Sequence, residues 1–579
     1  LKEAKADSWN AQAYASYRQR RFAGGAGGGS FNFNKNKFSL ASSLNYWNGN
    51  YYQEQDDYAY FPDGLWYTSS PFKAHIKGLN GRADLNYQVG PNWSMGAQYM
   101  YARTDYAVTD QPYTPVYDYE TDAILRYLQS EGTMDLSPEI HSVNYNNVLQ
   151  LDTQGRSISL NLDYFTYRNP DIKTYIGESV IAEPALVQYY QGINTNRQDV
   201  ENYSGKIDID LPTSWATLGF GAKISTTQSF NDIEFFNSGL VEEPISDFIT
   251  EVNDFEYDET IEAAYVSANK DLSDKWSAQL GLRLEATQTN SFSKNLQLDV
   301  DNDYVKLFPS FYLSYNQSAD ATYSVTYSRR IERPGFFDLN PNIYFINPFQ
   351  TIEGNAFLQP AFVDNVELSY TYKNYFATVY YSYEDNMFAQ VPLPNASTNI
   401  IRFTNENYIN TQRLGISQNL VFDQLSWWTS NNSLDVNFAR SEFDLAEQQA
   451  DQRGINAQVS TYNDFTLNKA GTLYAGINYW YSFPGVDGIF NTQSASALSV
   501  YLQLRLLNKK LSLTLRGNDL FKSSAERTET TVNHVFQTAR YYYDSRFFQV
   551  SLSYKFGNDE ISAKRHDTGN QDEKARTGN

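Results

Sequence analysis

The 579-residue sequence contains no cysteine. Disulfides, zinc–thiolate centres, iron–sulfur clusters and thiol nucleophiles are therefore excluded. Histidine is nearly as scarce, and His75, His141, His534 and His566 show no metal-ligand spacing. No run approaches the 18 apolar residues that mark a membrane-crossing helix. Basic residues are in deficit, 45 against 67 acidic, and the net charge of −22 argues against electrostatic binding of nucleic acid or of an anionic membrane surface. HExxH, GxSxG and P-loop motifs are absent, so neither an enzyme activity nor a cofactor is expected. The glycine-rich AGGAGGGS at Ala23 does not satisfy GxGxxG and reads as a flexible hairpin tip.

Aromatic residues, by contrast, are abundant: 47 Tyr, 36 Phe and 9 Trp make 16% of the chain. The mean hydropathy is nonetheless −0.56. That combination suits strands with one apolar and one wet face better than a large packed core. Near the end, RFFQVSLSYKFG alternates strictly: Phe548, Val550, Leu552, Tyr554 and Phe556 fall on one side, Gln549, Ser551, Ser553 and Lys555 on the other. WSAQLGLRLEA, with Trp276, Leu280, Leu282 and Leu284 on one side, and RSISLNLDYFTY repeat the pattern. Such runs have the roughly nine to eleven residues of a tilted strand crossing a bilayer.

Short polar turns begin at Asn34, Gly90, Asp152, Pro212, Asp271, Asn316, Lys373, Phe422, Asn468 and Asn508. The connections between them are often longer and rich in Tyr, Asn, Asp and Pro, as in Thr104 to Glu139, Asn169 to Asp199 and Phe230 to Phe255. Ten short turns join ten strand pairs, and one strand remains at each end, which gives about 22 strands by the hairpin count. Short turns on one side and long loops on the other predict an all-β fold, a closed antiparallel transmembrane β-barrel in an outer membrane, with the apolar faces on lipid. A string of sandwiches or a propeller would repeat its loops more evenly.

The middle of the chain carries the order Arg329-Arg330, Arg333-Pro334, Leu339-Asn340-Pro341, Asn347-Pro348, Glu353-Gly354-Asn355 and Leu358-Gln359-Pro360. With GNDLF (Gly517 to Phe521) and the ending SLSYKFGNDEISAKRHDTGNQDEKART, it resembles the outer-membrane β-barrel family related to TonB-dependent receptors, abundant in Bacteroidota. The resemblance covers essentially the whole chain. It implies a barrel of 22 strands, a plugged lumen and uptake driven by an inner-membrane TonB complex. The cell outer membrane of a Gram-negative bacterium is the implied location, with the lipid bilayer and lipopolysaccharide as surroundings. Because the first strand begins at Trp9, any plug is expected upstream of Leu1. A scaffold barrel within a larger outer-membrane complex is the alternative reading.

The expected organisation is a periplasmic lead-in at 1–8, a barrel at 9–557 and a polar periplasmic tail at 558–579. Alternation assigns Arg283, Glu285, Arg330, Glu367, Arg505 and Arg516, with Lys373 and Lys555, to the polar, lumen phase. Mixed charges there would suit a docked plug or a wet channel. Arg333, Pro334, Asn340, Pro341, Glu353 and Asn355 lie in a Pro- and Asn-dense loop at the outer mouth. The acidic clusters DVDND (Asp299 to Asp303) and EQDD (Glu54 to Asp57) read as solvated loop, with calcium binding the alternative. Trp9, Trp47, Trp93, Trp276, Trp427 and Trp428 are expected near strand ends, in aromatic girdles.

Overall fold

The computed structural model describes residues 8–243, 249–445, 451–558 and 568–578. The N-terminal lead-in expected at 1–8 lies outside the described residues except for Ser8. Strand after strand shows the alternation. In Trp276–Ser293, Leu280, Leu282 and Leu284 are exposed on one face, while Glu285 on the other is buried. An exposed row of leucines is costly in water, but in a bilayer it is the solvated face.

The first strand, Ser8–Gln19, pairs antiparallel with the last, Phe547–Gly557, from Asn10↔Gly557 to Gln19↔Phe548. That pairing closes the sheet and removes its edges, as a membrane-embedded sheet requires. All ten short turns join neighbouring antiparallel strands. The glycine-rich stretch at Ala23, expected as a hairpin tip, instead lies within strand Ala23–Lys35 and pairs on both sides.

Among the described residues, the longest closed path of pairs runs through 24 strands, with 8 others outside that path. Between Phe38–Phe61 and Trp93–Asp110 that path runs through the rim strands Gly64–Ser69, Tyr113–Tyr117 and Ile124–Leu136. Nearer the short turns, Phe72–Gly90 bridges the same two strands directly. The longer path exceeds the expected count of about 22 by rim strands that form above the membrane, which a count of turns does not see; the path through Phe72–Gly90 has 22.

The same physics corrects the long connections. Ser157–Ile181 and Leu186–Pro212 have 25 and 27 residues, against the nine to eleven that cross a bilayer. The excess continues as paired ribbon on the long-loop side, so most of Asn169 to Asp199 is strand. Thr104 to Glu139 and Phe230 to Phe255 are likewise largely strand. Above the membrane both faces meet water, so polar residues occupy both phases and the alternation that announces a strand disappears.

Trp276, Tyr315, Tyr323 and Tyr370 form a chain of ring contacts at 4.6, 6.4 and 4.7 Å along the short-turn rim. This is the arrangement of an interfacial aromatic belt. Trp47 is not part of one. It sits mid-strand on the face opposite exposed Leu44 and Tyr46, lying across Gly78 of the neighbouring strand. Gly221–Tyr265, Gly415–Tyr380 and Gly476–Tyr501 are the same kind of cross-strand pair, with the ring over the glycine. A Cβ at Gly221 would lie 2.2 Å from the Tyr265 ring. Gly221→Val is therefore expected to destabilise the barrel by about 1–3 kcal/mol through overpacking. Adding Tyr265→Ser should recover part of that loss, a non-additivity that urea unfolding in detergent micelles would measure.

The expected periplasmic tail also requires correction. Residues 568–578 lie inside the barrel, against Asp163, Asn202, Lys223 and Glu259. These partners occupy the face opposite outward Leu162, Tyr203 and Ile224. Residues 559–567 and Asn579 are outside the described residues.

Candidate functional site: the mouth loop and its cavity

Strand Ala321–Glu332 ends at the outer rim, and the chain then turns into the lumen. Four prolines between 334 and 360 withhold N–H groups from any sheet. Asparagines fold the segment locally instead: Asn347 Oδ1 accepts the Phe349 N–H at 2.8 Å, and Asn355 Oδ1 accepts that of Phe357 at 2.9 Å. A small hairpin, Ile343–Asn347 with Gln350–Glu353, lays its second strand parallel to Ile401–Thr404 on the wall.

The loop reaches several walls. Phe345 stacks on Phe235 at 4.5 Å, and Phe349 meets Trp66 at 4.9 Å. Phe336, Leu339, Ala356 and Leu358 join Phe165, Val200, Phe255 and Tyr257 in one buried cluster. Burying that apolar surface, at about 25 cal/mol per Å², holds the loop inward.

Its base is fixed electrostatically. Arg333 donates to the Glu285 carboxylate, to Thr287 at 3.2 Å and to the Tyr304 hydroxyl at 3.3 Å. Glu285 also receives Arg283 at 2.6 Å. Burial acts to lower the Arg333 pKa, but Tyr304 and the carboxylates of Glu285 and Glu259 more than offset it, and the guanidinium stays charged. Asp338, buried in the loop, has its carboxyl pushed up by desolvation against the Gly335 N–H and the Asn405 amide.

Between the loop and the wall lies a cavity of about 620 Å³, within the range of small-molecule sites. Phe349 and Ile352 of the loop and Phe61, Trp66 and Phe403 of the walls make it largely apolar; Asp57, Asp110 and Lys173 add charge. Asp57 stands far along Phe38–Phe61, beyond the part that crosses the bilayer. Burial pushes its carboxyl up to about 6, against hydrogen bonds from Gln55 and Tyr541. A raised folded-state value favours the fold at low pH, and that advantage is lost as the pH rises through about 6. Asp57→Asn is accordingly expected to flatten the fall in barrel stability between about pH 4 and about pH 6.5, read from urea midpoints.

The six lumen-phase candidates do not converge on one site. Arg283 and Glu285 meet Arg333, whereas Arg330 is exposed at its strand end and Glu367 accepts from Asn365 at 2.6 Å. Arg505 bonds Gln503 and lies over Tyr474. Arg516 is close to Asn518 and, with Arg18 and Arg20, lies around the Phe547 ring. Among the mouth-loop candidates, Pro334 O accepts from Arg576 at 2.8 Å, and the Asn340 side chain bonds Asn342 at 2.8 Å. Pro341 is half-buried, Glu353 pairs with Arg402 at 2.8 Å, and Asn355 bonds Asn405 O and Glu406. The acidic clusters have protein partners: Asp299 and Asp301 accept from Asn290, and Glu54 and Asp56 meet Lys522 and Arg540. Sequence reasoning misses Trp66, Phe349 and Asp57 at the cavity; the loop-like composition of EQDD conceals the last.

Residues 149–554 match the profile of the outer membrane protein beta-barrel family. The chain belongs to that family. Membership places this outer membrane barrel in the outer membrane of a Gram-negative cell. Solved structures share its fold across 96% of the chain. The ferric-catecholate import receptor Fiu from E. coli K12 in its closed form has 11% identity and a TM-score of 0.60, matched over 82% of its own chain. The ferric yersiniabactin uptake receptor FyuA from Yersinia pestis has 12% and 0.57, over 81%. The siderophore receptor PirA from Pseudomonas aeruginosa has 12% and 0.51, over 81%. A search of curated proteins found no match.

Proposed function

We propose that the chain is the transport barrel of a TonB-dependent-type receptor, taking up a substrate through its lumen. The observation that carries this reading is the cavity of about 620 Å³ between the inward-folded loop and the wall. A ligand-sized, mostly apolar chamber with a few charged groups at the outer mouth of a wide barrel is where a solute from outside would first be held. The fold shared with import receptors supports it. In this reading the lumen-phase charges Arg283, Glu285, Glu367, Arg505 and Arg516 lie along the wall of the route, with Arg330 at its outer rim. A plug would close this route and an inner-membrane TonB complex would open it, and lipopolysaccharide surrounds the outer half of the wall.

The test compares cells with and without the chain, supplied with a mixture of iron chelates, vitamins, oligosaccharides and peptides, by mass spectrometry of the medium. Depletion of one compound class only in cells that carry the chain is expected. An uncoupler of the proton-motive force and Phe403→Asp in the cavity wall should each abolish it. Identical depletion with and without the chain would overturn the reading.

A further inference from the structure

The chain leaves the last strand at Gly557, on the short-turn side, yet residues 568–578 are found inside the barrel. Their contacts fall on five neighbouring strands of the wall. The Gly569 N–H donates to Asp163 Oδ2 at 3.1 Å, and the Asn570 side chain donates to Asn202 Oδ1 at 3.1 Å. Glu573 receives Lys223 Nζ at 2.8 Å, and Lys574 donates to Ser142 at 3.3 Å. Arg576 then pairs with Glu259 and reaches the Tyr257 hydroxyl at 3.5 Å. Glu259 is paired further along the wall than Lys223, whose cross-strand partner is Ala263, so Arg576 lies nearer the mouth than Glu573.

Two features separate this from a loose end resting in a wide tube. Three of the segment's residues are deeply buried, Asn570, Glu573 and Thr577, with Asn570 0% exposed and Glu573 2%. Its charges also match the wall crosswise, with Glu573 on Lys223 and Arg576 on Glu259. A buried charge without a partner is strongly destabilising, so each side satisfies what the other would leave bare. At its upper end the segment holds the mouth loop. Arg576 Nε donates to Pro334 O at 2.8 Å, the Phe336 N–H donates to Arg576 O at 3.1 Å, and the guanidinium lies 4.3 Å from the Phe336 ring centroid.

We propose that the inward face around Asp163, Asn202, Lys223 and Glu259 is a peptide-binding cleft whose occupant is the chain's own segment 568–578, and that the bound segment latches the mouth loop closed. A latch of this kind connects the two sides of the membrane: its occupied end holds the outer loop, while the chain leading to it starts from the inner rim. Displacing the segment frees Pro334 and Phe336 and leaves the first part of the loop held by Arg333 and its apolar contacts, with the later part still paired to the wall through Glu353, Asn355 and the strand beside Ile401–Thr404.

The absence of native cysteine makes the test direct. In the 579-residue chain, Asn202→Cys with Asn570→Cys is expected to form a disulfide under mild oxidation, and a lone Asn570→Cys should react with a polar maleimide at least about tenfold more slowly in the folded barrel than in urea. In a second arm, Leu339→Cys reports on the loop. Removing residues 568–579 should speed its labelling at least about tenfold, and a synthetic peptide TGNQDEKARTGN added in trans should slow it again, whereas the same peptide carrying Arg576→Glu should not. Failure of the disulfide together with fast labelling of Asn570→Cys would overturn the docking. A normal disulfide with Leu339→Cys labelling unchanged by truncation would overturn the latch. Neither readout depends on transport.

Discussion

Arg333→Ala is expected to open the mouth of the barrel without unfolding it. Arg333 is largely buried against Glu285; because Glu285 keeps Arg283 as a partner, removing Arg333 is expected to cost about 1.5–3 kcal/mol, the worth of hydrogen bonds to a charged group, and not the full cost of a bare buried charge. The barrel has a cheaper response than unfolding. If the loop swings out, the lumen floods and Glu285, still paired with Arg283, is rehydrated. The penalty should therefore fall on the closed state of the loop. A change of that size shifts a two-state equilibrium by about one to two orders of magnitude, at about 1.4 kcal/mol per factor of ten. Planar-bilayer recordings should show a large, steady conductance for Arg333→Ala and little for the unaltered chain, while urea midpoints remain close. Equal conductance would show that the loop does not seal the passage. A collapsed urea midpoint would show that Arg333 is part of the barrel's framework instead.

The second large effect is expected at the closing seam. Leu552 is the middle residue of Phe547–Gly557 and pairs with Leu513 on one side and Ala15 on the other. Its exposed face, shared with Val550, meets lipid. Leu552→Arg is expected to cost about 2–4 kcal/mol, the range for a cation at the bilayer midplane of a barrel. Ser551→Arg, one residue away, points into the lumen beside Gln549 and should be milder, since water and polar side chains receive the guanidinium there. Folding yields and urea titrations into lipid vesicles compare the two. Similar losses would contradict the face assignment.

Much of this architecture is legible in the sequence. Phe548, Val550, Leu552 and Phe556 can face lipid only if their strand lies in a membrane, and the ten turn-length gaps set which strands are neighbours. Legibility fails where the environment becomes the same on both sides of a strand. EQDD reads as loop because it has no apolar phase, yet Asp57 lies within a strand. Tryptophan commonly sits in a lipid belt, which is why Trp47 is expected there; its position over Gly78 depends on the partner strand's register. Glu259 and Arg576, 317 residues apart in sequence, cannot be paired by any local rule.

The sequence alone determined that this chain is a closed barrel of amphipathic strands in an outer membrane. The reason is that period-two alternation and turn spacing are local properties, and a bilayer leaves a sheet no other way to satisfy its edges. What occupies the lumen was decided only by the tertiary structure. The inward turn of Arg333 to Pro360, the cavity beneath Phe349 and the docking of 568–578 rest on contacts between distant segments. Their strength comes from burial and charge matching, which exist only once the wall has closed around them.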